Sequence, residues 1–368
     1  MPVKVKELVE FLECFAPLKL AEKWDNAGLL LGDPDNSVQK IMLSLDVTPD
    51  VAEQAIKNKV ELIISHHPLI FDGIKNLAQT NWKNRMLALL LKNNIAVYCA
   101  HTNLDIANGG VNDILANRLG LQNISVLQKS GQDKLFKIVV FVPEKNCKQV
   151  MFAMTGKGAG HIGKYSDCTF QTKGVGTFRP LSGSNPFIGT QGDLQSVNEV
   201  RLETIVPDGI KSAVLTAMLA AHPYEEVAYD VYELQNNFNS WGIGRIGDLP
   251  KKLTVRQFSL LVRQALSLDY VVCADAGNKI KRVAVVGGAG ADFVKAALAM
   301  GADALVTGDV KYHSAQEASF SGLTIIDAGH QGTEWPVLDV LQEHLAQFSA
   351  GKKLKIIIAE EKNILQQL

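Results

Sequence analysis

The sequence lacks the features that mark secreted, membrane-spanning and disulfide-stabilised proteins. Its five cysteines are scattered along 368 residues, and no two of them form a C-x-x-C pair. A disulfide framework is therefore not expected, and a reducing cytoplasm is the predicted location. No run approaches the roughly 20 apolar residues that cross a bilayer. The N-terminal segment alternates charged and apolar residues where a signal peptide has an unbroken apolar stretch.

An excess of charge of either sign is also missing. The formal net charge is −1, which argues against an electrostatic grip on nucleic acid or on an anionic membrane. Hydrophobic residues make up 47% and charged residues 20% of the chain, as in ordinary soluble globular proteins. The length suits two or three domains, each with its own core.

Two stretches of the chain alternate apolar strands with amphipathic helices, a pattern typical of mainly parallel sheets covered on both faces. We predict one α/β lobe over residues 1–130 and a second over 250–368, the two forming one domain. Predicted strands of the first are Ile41–Asp46, Glu61–Ser65 and Ile95–Ala100; those of the second are Arg282–Val286, Ala304–Thr307, Leu323–Asp327 and Leu354–Ala359.

Residues 131–249 have a different pattern, which predicts an inserted ferredoxin-like α+β domain. Strands and helices alternate around a glycine-rich middle. The polar, turn-rich stretches Gln128–Lys134 and Gln235–Gly242 are its expected borders. The predicted elements are Leu135–Val142, Cys147–Thr155, Glu199–Val206, Ile210–Ala221 and Glu226–Leu234.

Three polar clusters follow predicted strands of the two lobes. The first is Ser65-His66-His67-Pro68, where Pro68 has no N–H and cannot continue a central strand. The other two are His101-Thr102-Asn103-Leu104-Asp105 and Gly329-His330-Gln331-Gly332-Thr333-Glu334. Thr333 is the expected N-cap of a helix that Glu334 opens. Open α/β sheets bind ligands just beyond the carboxyl ends of their strands, where these clusters lie.

Imidazole nitrogens and carboxylate oxygens suit Zn²⁺, Mn²⁺ and Fe²⁺. One ion needs three or four protein ligands, so five or six candidates predict a site for two ions. The alternative for a single loop histidine is a structural, capping or surface role. Four of the eight histidines fall in these three clusters, which favours the metal site.

At these residues the sequence resembles the Nif-three-like family, whose bacterial members are named GTP cyclohydrolase 1 type 2 homologs. The likeness extends over essentially the whole chain. Its motifs are the three clusters, Trp24-Asp25-Asn26 with Gly28-Leu29, and Thr307-Gly308-Asp309. The resemblance implies two divalent ions per chain, zinc first, with iron and manganese as alternatives. The implied ligands are His66, His67, Asp105, His330 and Glu334, with His101 assisting as a catalytic residue.

The resemblance also implies a homohexamer, and Ala221–Glu226 makes the insertion similar to the trimer-forming CutA and PII domains. The leading hypothesis is a metal-dependent hydrolase acting on a nucleotide, with opening of the guanine imidazole ring of GTP as the candidate reaction. Phosphoester cleavage by the same centre is an alternative. A regulatory or metal-handling hexamer without turnover is another. The expected ligand is a small molecule or nucleotide, and neither nucleic acid nor a membrane is an expected partner.

Four further features allow two interpretations each. A structural role is favoured over metal binding for His222, and Asp309 and His313 either line the groove or, for Asp309, cap a helix. The glycines of 287–290 either cradle a phosphate or make a tight turn. Trp24-Asp25-Asn26 either contacts a substrate or closes the groove.

Overall fold

The computed structural model of the protein describes residues 2–236, 238–349 and 351–364. The chain forms two compact units. Unit 1 comprises the chain up to Ser130 together with the chain from Trp241 onward, and unit 2 is Gly131–Ser240. Helices and several sheets make this a mixed α/β fold. Among the described residues, no helix is both long enough and apolar enough to cross a membrane.

The first sheet of unit 1 has five strands in the spatial order β17-β4-β5-β6-β2. They are β2 (Gly28–Leu31), β4 (Lys40–Ser44), β5 (Leu62–Ser65), β6 (Ala96–Cys99) and β17 (Lys355–Ile358). Strands β17, β4, β5 and β6 are parallel, and β2 is antiparallel to β6. A short antiparallel pair joins β1 (Val3–Lys4) and β3 (Ser37–Val38).

Helices cover both faces of this sheet, because its central strands are apolar at successive positions. Ile41 and Leu43 point into one core cluster and Met42 into the other, as the two-residue period of a strand requires. The first cluster includes α1 (Val5–Phe15), α4 (Thr102–Ile106), α5 (Val111–Arg118) and α12 (Pro336–Ser349); the second includes α2 (Pro49–Lys57) and α3 (Trp82–Lys92).

The second sheet of unit 1 has six strands in the order β13-β16-β15-β14-β12-β7. They are β7 (Gln122–Gln132), β12 (Ser240–Leu253), β13 (Val272–Ala274), β14 (Ile280–Ala289), β15 (Ala304–Gly308) and β16 (Thr324–Asp327). The helices that follow in this part of the chain are α8 (Val255–Ala265), α9 (Val294–Ala299), α10 (Tyr312–Phe320) and α11 (His330–Glu334). Short 3₁₀ turns occur at Leu18–Leu20, Glu144–Asn146 and Ala291–Phe293.

Two expectations about these sheets are wrong. In the second sheet β14, β15 and β16 pair in parallel, whereas β12 and β13 pair with this parallel core in antiparallel fashion. Strand β17, expected in the second lobe, pairs with β4 of the first sheet. Both differences concern edge strands and their neighbours. An apolar pattern identifies such a strand but does not specify its partner.

Unit 2 contains one antiparallel sheet of four strands in the order β11-β8-β10-β9. Its elements are β8 (Leu135–Pro143), α6 (Cys147–Thr155), β9 (Thr169–Phe178), β10 (Gln195–Pro207), α7 (Asp208–Ala221) and β11 (Tyr229–Leu234). Leu202 and Val206 of β10 pack with Val150 of α6 and Val214 of α7. Strand β9 was not predicted, because its glycines and polar residues resemble a loop.

Candidate metal centre

Three loop segments bring the predicted ligands together in unit 1. His66 and His67 follow β5, and their backbone N–H groups donate to Ser44 O (3.1 Å) and Leu45 O (2.8 Å). Asp105 lies in the first turn of α4. His330 and Glu334 begin and end α11, so at i, i+4 their side chains project from the same side of one helical turn.

The local structure before Glu334 differs from the predicted one. Gly329 is the N-cap of α11, with a φ of 76° that a residue with a side chain rarely adopts. Thr333 lies inside the helix, where its hydroxyl donates to the His330 carbonyl (2.8 Å). The predicted N-cap at Thr333 is therefore wrong, because the glycine lets the helix begin four residues earlier, at His330.

The carboxylate of Glu334 is the centre of a buried cluster. Its Oε1 lies 3.6 Å from His66 Nε2, and its Oε2 lies 3.0 Å from His67 Nε2 and 3.3 Å from His330 Nε2. Asp105 Oδ1 lies 3.6 Å from His66 Nε2. The Nε2 atoms of His67 and His330 are 3.1 Å apart. All five side chains predicted as ligands thus meet.

The donor atoms of the cluster fit a cation. When the imidazoles are neutral and carry their proton on Nδ1, His66 Nε2, Asp105 Oδ1 and Glu334 Oε2 are buried without a hydrogen-bond partner among the described residues, which costs about 1–3 kcal/mol for each atom. One donor from each of His66, His67 and Glu334 lies within 4.8 Å of the others, so this group could hold a metal ion. Two ligands about 2.1 Å from one tetrahedral zinc lie about 3.4 Å apart, close to the observed spacing.

Each of the three imidazoles around Glu334 is oriented by an acceptor at its Nδ1. With the proton at Nδ1, the Nε2 lone pair points into the cluster, as metal binding requires. Sequence reasoning missed Asp46 in this role and left that of Asp309 open. Asp46 lies two residues after the end of β4, beside the loop that carries His67, and this position was the available signal. The pairs are His66 with Ala100 O (2.8 Å), His67 with Asp46 (3.1 Å) and His330 with Asp309 (2.7 Å).

Asp25 orients His101 in the same way. His101 Nδ1 lies 2.7 Å from Asp25 Oδ1, and the backbone N–H of Thr102 donates to Oδ2 at 3.0 Å. Burial raises the pKa of Asp25, but the hydrogen bonds from His101 and Thr102 outweigh burial and lower the pKa to about 2. The His101 ring lies 5.4 Å from that of His66. His101 therefore sits beside the cluster with its Nε2 not committed to Asp25.

The residues on either side of Asp25 have separate roles. Trp24 is 59% exposed, and its ring lies 6.1 Å from that of His101. The side chain of Asn26 donates to Ile70 O at 2.6 Å. Asn26 therefore ties two loops together, whereas Trp24 offers an open aromatic face next to His101.

The glycine-rich turn of 287–290 supports the cluster and does not offer a phosphate cradle. Its N–H groups already donate to side chains of unit 1: Gly287 to Asn112 (3.0 Å), Gly288 to Thr333 (2.9 Å) and Gly290 to Thr307 (2.8 Å). A Cβ at Gly288 would collide with the Glu334 carboxylate. The tight-turn interpretation is the one that agrees with these contacts.

Two other histidines lie away from the cluster. His222 in unit 2 has both ring nitrogens engaged, with Nε2 donating to Phe141 O (3.0 Å) and Nδ1 accepting from the backbone N–H of Tyr224 (3.1 Å). His313 is exposed on α10, where its ring contacts Tyr312. The structure thus gives His222 a structural role, and it does not bring His313 to the cluster.

The charges of the cluster depend on one another. Burial alone would raise the pKa of Glu334, but the imidazoles around it outweigh burial and hold the pKa well below its usual range. Burial lowers the pKa of His67, yet Asp46 and Glu334 outweigh burial and raise it to about 10. Hydrogen bonding to Glu334 raises the pKa of His330 to about 9. Without a metal, protons on these histidines compensate the buried carboxylate.

A groove of about 1120 Å³ in unit 1 reaches the cluster at His67 and His330. Its wall is acidic, since seven carboxylates line it, against Lys362 and the two cluster histidines, His67 and His330. Such a wall attracts cations and repels phosphate groups. The acidic residues are Asp46, Asp50, Asp269, Asp309, Asp327, Glu360 and Glu361.

Comparison with known proteins matches this chain to one family. The family model for Duf34/NIF3 (NGG1p interacting factor 3) matches residues 3–364. A Bacillus subtilis protein named GTP cyclohydrolase 1 type 2 homolog is 43% identical over 329 residues, covering 89% of this chain and 88% of that protein. The homolog of the same name from Halalkalibacterium halodurans is 44% identical, covering 88% of this chain and 87% of that protein.

Solved structures agree over the full length. The crystal structure of a Bacillus cereus protein related to NIF3 superposes with a TM-score of 0.88 at 39% identity, covering 100% of both chains. A Staphylococcus aureus protein superposes with a TM-score of 0.82 at 30% identity, covering 100% of this chain and 99% of that one.

The raised histidine pKa values predict how the metal-free protein responds to pH. The stability that His67 contributes is fully present below its unfolded pKa of roughly 6.5, and it is lost as the pH rises through its folded pKa of about 10. In chelator-treated protein, His67→Gln should therefore lower the free energy of unfolding by about 2–4 kcal/mol near pH 6 and by much less near pH 10.

Urea denaturation at several pH values measures this difference. In Zn²⁺-loaded wild type, the free energy of unfolding that the cluster contributes should instead rise with pH. The reason is that ligand histidines must lose their protons to bind metal. If the wild type and His67→Gln differ in free energy of unfolding by the same amount at about pH 6 and about pH 10, the protonation assigned to the metal-free His67 is contradicted.

The contact between Asp25 and His101 predicts the tautomer of His101. In the wild type the proton of neutral His101 is expected on Nδ1. In Asp25→Asn it should redistribute between Nδ1 and Nε2, because an amide can accept from a protonated Nδ1 or donate to a bare one. Side-chain ¹⁵N chemical shifts of labelled histidine measure this population. Asp72→Asn, on an exposed residue, is the control, and an unchanged His101 tautomer in Asp25→Asn would remove Asp25 from this role.

Proposed function

Because this chain belongs to the Duf34/NIF3 family, we propose that the histidine–carboxylate cluster is a dinuclear metal centre that hydrolyses a small molecule. The observation that carries the proposal is a set of three buried atoms, on His66, Asp105 and Glu334, that lack a hydrogen-bond partner among the described residues when the imidazoles are neutral and protonated at Nδ1. Such atoms are costly to bury unless a ligand compensates them.

The proposed ligands are His66, His67, Asp105, His330 and Glu334. Five side chains exceed the three or four that one zinc ion takes from a protein, so two ions are proposed. Zinc is the first candidate, and iron and manganese accept the same mixture of nitrogen and oxygen donors. When bound, two divalent ions would acidify a water molecule and polarise the substrate.

His101 is the proposed proton carrier. Its Nδ1 donates to Asp25, so Nε2 is the atom that can accept a proton from water and return it to a leaving group. Asp25 is the positioning residue for His101. Trp24, exposed beside His101, offers a ring against which a flat base could stack.

Opening of the guanine imidazole ring of GTP is the candidate reaction, and it rests on the name of the relatives. The acidic groove limits where the triphosphate of GTP can bind in this reaction. Since its wall repels phosphates, the triphosphate is expected to point away from the groove or to enter with bound Mg²⁺. The same wall favours the second candidate, a metal-handling or regulatory assembly, because it would concentrate divalent cations beside the cluster.

Unit 2 is proposed to be a ferredoxin-like domain of the CutA and PII type, inserted in the metal-binding domain of a cytoplasmic homohexamer. Its β-α-β-β-α-β order and its strand order β11-β8-β10-β9 support this proposal. The proposed domain begins at residue 131, as the sequence predicts, and ends near Ser240, whereas the sequence predicted an end at residue 249. The reason is that Ser240–Leu253 forms β12, which pairs with β14 of unit 1.

The ligand count predicts the metal content. Elemental analysis of protein reconstituted with Zn²⁺ should find about two ions per chain, and Asp105→Ala should lose at least one, because it removes one carboxylate ligand. Asp339→Ala, at a half-exposed surface ion pair with Arg118, should keep both. Full occupancy in Asp105→Ala would remove Asp105 from the ligand set.

The candidate reaction predicts formate. Wild-type protein loaded with metal and incubated with GTP and Mg²⁺ should release formate and a ring-opened nucleotide, detected by mass spectrometry. Glu334→Ala should lower the rate by about 100-fold or more, and Glu343→Ala, at an exposed residue of α12, should not change it.

Two other outcomes are informative. Release of phosphate without formate would favour phosphoester cleavage. If no variant turns over GTP but Glu334→Ala changes metal content or assembly, the hydrolase proposal for GTP fails and the metal-handling candidate replaces it.

A further inference from the structure

Unit 2 contains a cavity of about 730 Å³ that none of the functional assignments above uses. It lies on the sheet face opposite α6 and α7. Val200 and Leu202 alternate with Glu199 and Arg201 along β10, and Leu202 belongs to the core shared with these helices. Glu199 and Arg201 therefore point to the opposite face, and both line the cavity.

Glycines of β9 make room for this cavity. Gly174 pairs with Glu199 across the two strands, and Gly176 pairs with Val197. A Cβ at Gly174 would meet nothing within 4 Å, so the missing side chain leaves open space. A Cβ at Gly176 would collide with the Glu199 carboxylate, which occupies the position of the missing side chain.

Aromatic rings form one side of the cavity. The Tyr224 ring lies 5.7 Å from that of Phe178 and 6.2 Å from that of Phe187. The Tyr224 hydroxyl donates to Glu199 Oε1 at 3.1 Å. His222 accepts from the backbone N–H of Tyr224 and donates to Phe141 O, which fixes the loop that carries this ring.

The buried carboxylate of Glu199 is not paired with a basic side chain of the cavity. Three carboxylates and three basic side chains line it. Two of the basic residues are paired with carboxylates outside the lining, Lys173 with Glu144 and Arg201 with Glu203. Within the part of the chain that the structure describes, no lysine or arginine forms an ion pair with Glu199, although Glu199 is only 9% exposed. The carboxylate of Glu199 therefore lies next to aromatic faces without a cationic side chain paired to it among the described residues.

We propose that this cavity binds a small organic cation, with its ammonium group against Glu199 and its apolar body against the rings of Tyr224, Phe178 and Phe187. Aromatic faces attract cations, and a desolvated carboxylate adds a charge-assisted hydrogen bond. The volume is that of an ordinary small-molecule site. The proposal is independent of the metal centre, because every lining residue belongs to unit 2.

Calorimetry on the full chain tests the proposal with tetramethylammonium, n-butylammonium and phenethylammonium as probes. At least one should bind saturably below about 10 mM, and phenethylammonium should bind at least about tenfold more tightly than neutral 2-phenylethanol. Glu199→Gln should weaken binding of the ammonium probe by about tenfold or more. It keeps the shape of the side chain and removes its charge.

A second variant tests the space without changing the charge. Gly174→Val should abolish binding by filling the floor of the cavity, and a β-branched residue suits a strand. Glu233→Gln, at an exposed residue of β11 outside the lining, is the matched control and should leave affinity unchanged. Circular dichroism checks that each variant is folded.

Three outcomes would overturn the proposal. None of the three ammonium probes binds; or folded Glu199→Gln binds them as tightly as the wild type; or Gly174→Val changes the sedimentation mass, which would mean that a second copy of the chain covers this face.

Discussion

The burial of one carboxylate, that of Glu334, is the constraint on which the centre of unit 1 depends. Its side chain is 4% exposed and lies within 3.6 Å of Nε2 atoms on His66, His67 and His330. An uncompensated buried carboxylate is strongly destabilising, so positive charge must accompany it. Protons on the histidines can supply this charge, and so can a metal. The stability of the fold therefore depends on the charge state of the cluster, whether protons or a metal supply the positive charge.

This constraint explains the unusual backbone around the cluster. Gly288 has a φ of 61° and lies where a Cβ would collide with Glu334, while a Cβ at Gly308 would collide with the backbone of His330. Because these two glycines allow the backbones to approach closely, α11 can pack against β14 and β15 of the second sheet. The buried guanidinium of Arg245 adds a second tie there, donating to Ile106 O at 3.1 Å and pairing with Asp113 of α5.

The two units use related physical chemistry for different purposes. In unit 1, carboxylates hold the Nδ1 side of His67, His101 and His330 and leave the Nε2 side to a ligand. In unit 2, the Tyr224 hydroxyl donates to Oε1 of Glu199, and Oε2 lies over Gly176. Both arrangements keep a buried charge partly uncompensated. A folded protein tolerates this where a ligand completes the charge balance.

Local sequence was sufficient to predict much of the fold and of the cluster. Apolar runs marked β4, β5 and β6, and Pro68 marked the exit of the chain from the first sheet after His67. The residues that converge were identifiable because each follows such a strand. Strands β9 and β12 were missed, since glycine and exposed polar residues conceal the two-residue period of a strand.

Only the tertiary structure decided which of these segments meet. His67 and His330 are 263 positions apart, yet their Nε2 atoms lie 3.1 Å from each other. No local pattern encodes that distance, because it depends on how the two sheets pack and on β17 returning to pair with β4. The supporting contacts of Asp25, Asp46 and Asp309 depend on the same packing. The sequence by itself determined the chemistry available at the ends of the strands. Long-range strand pairing and burial decided that this chemistry forms one site.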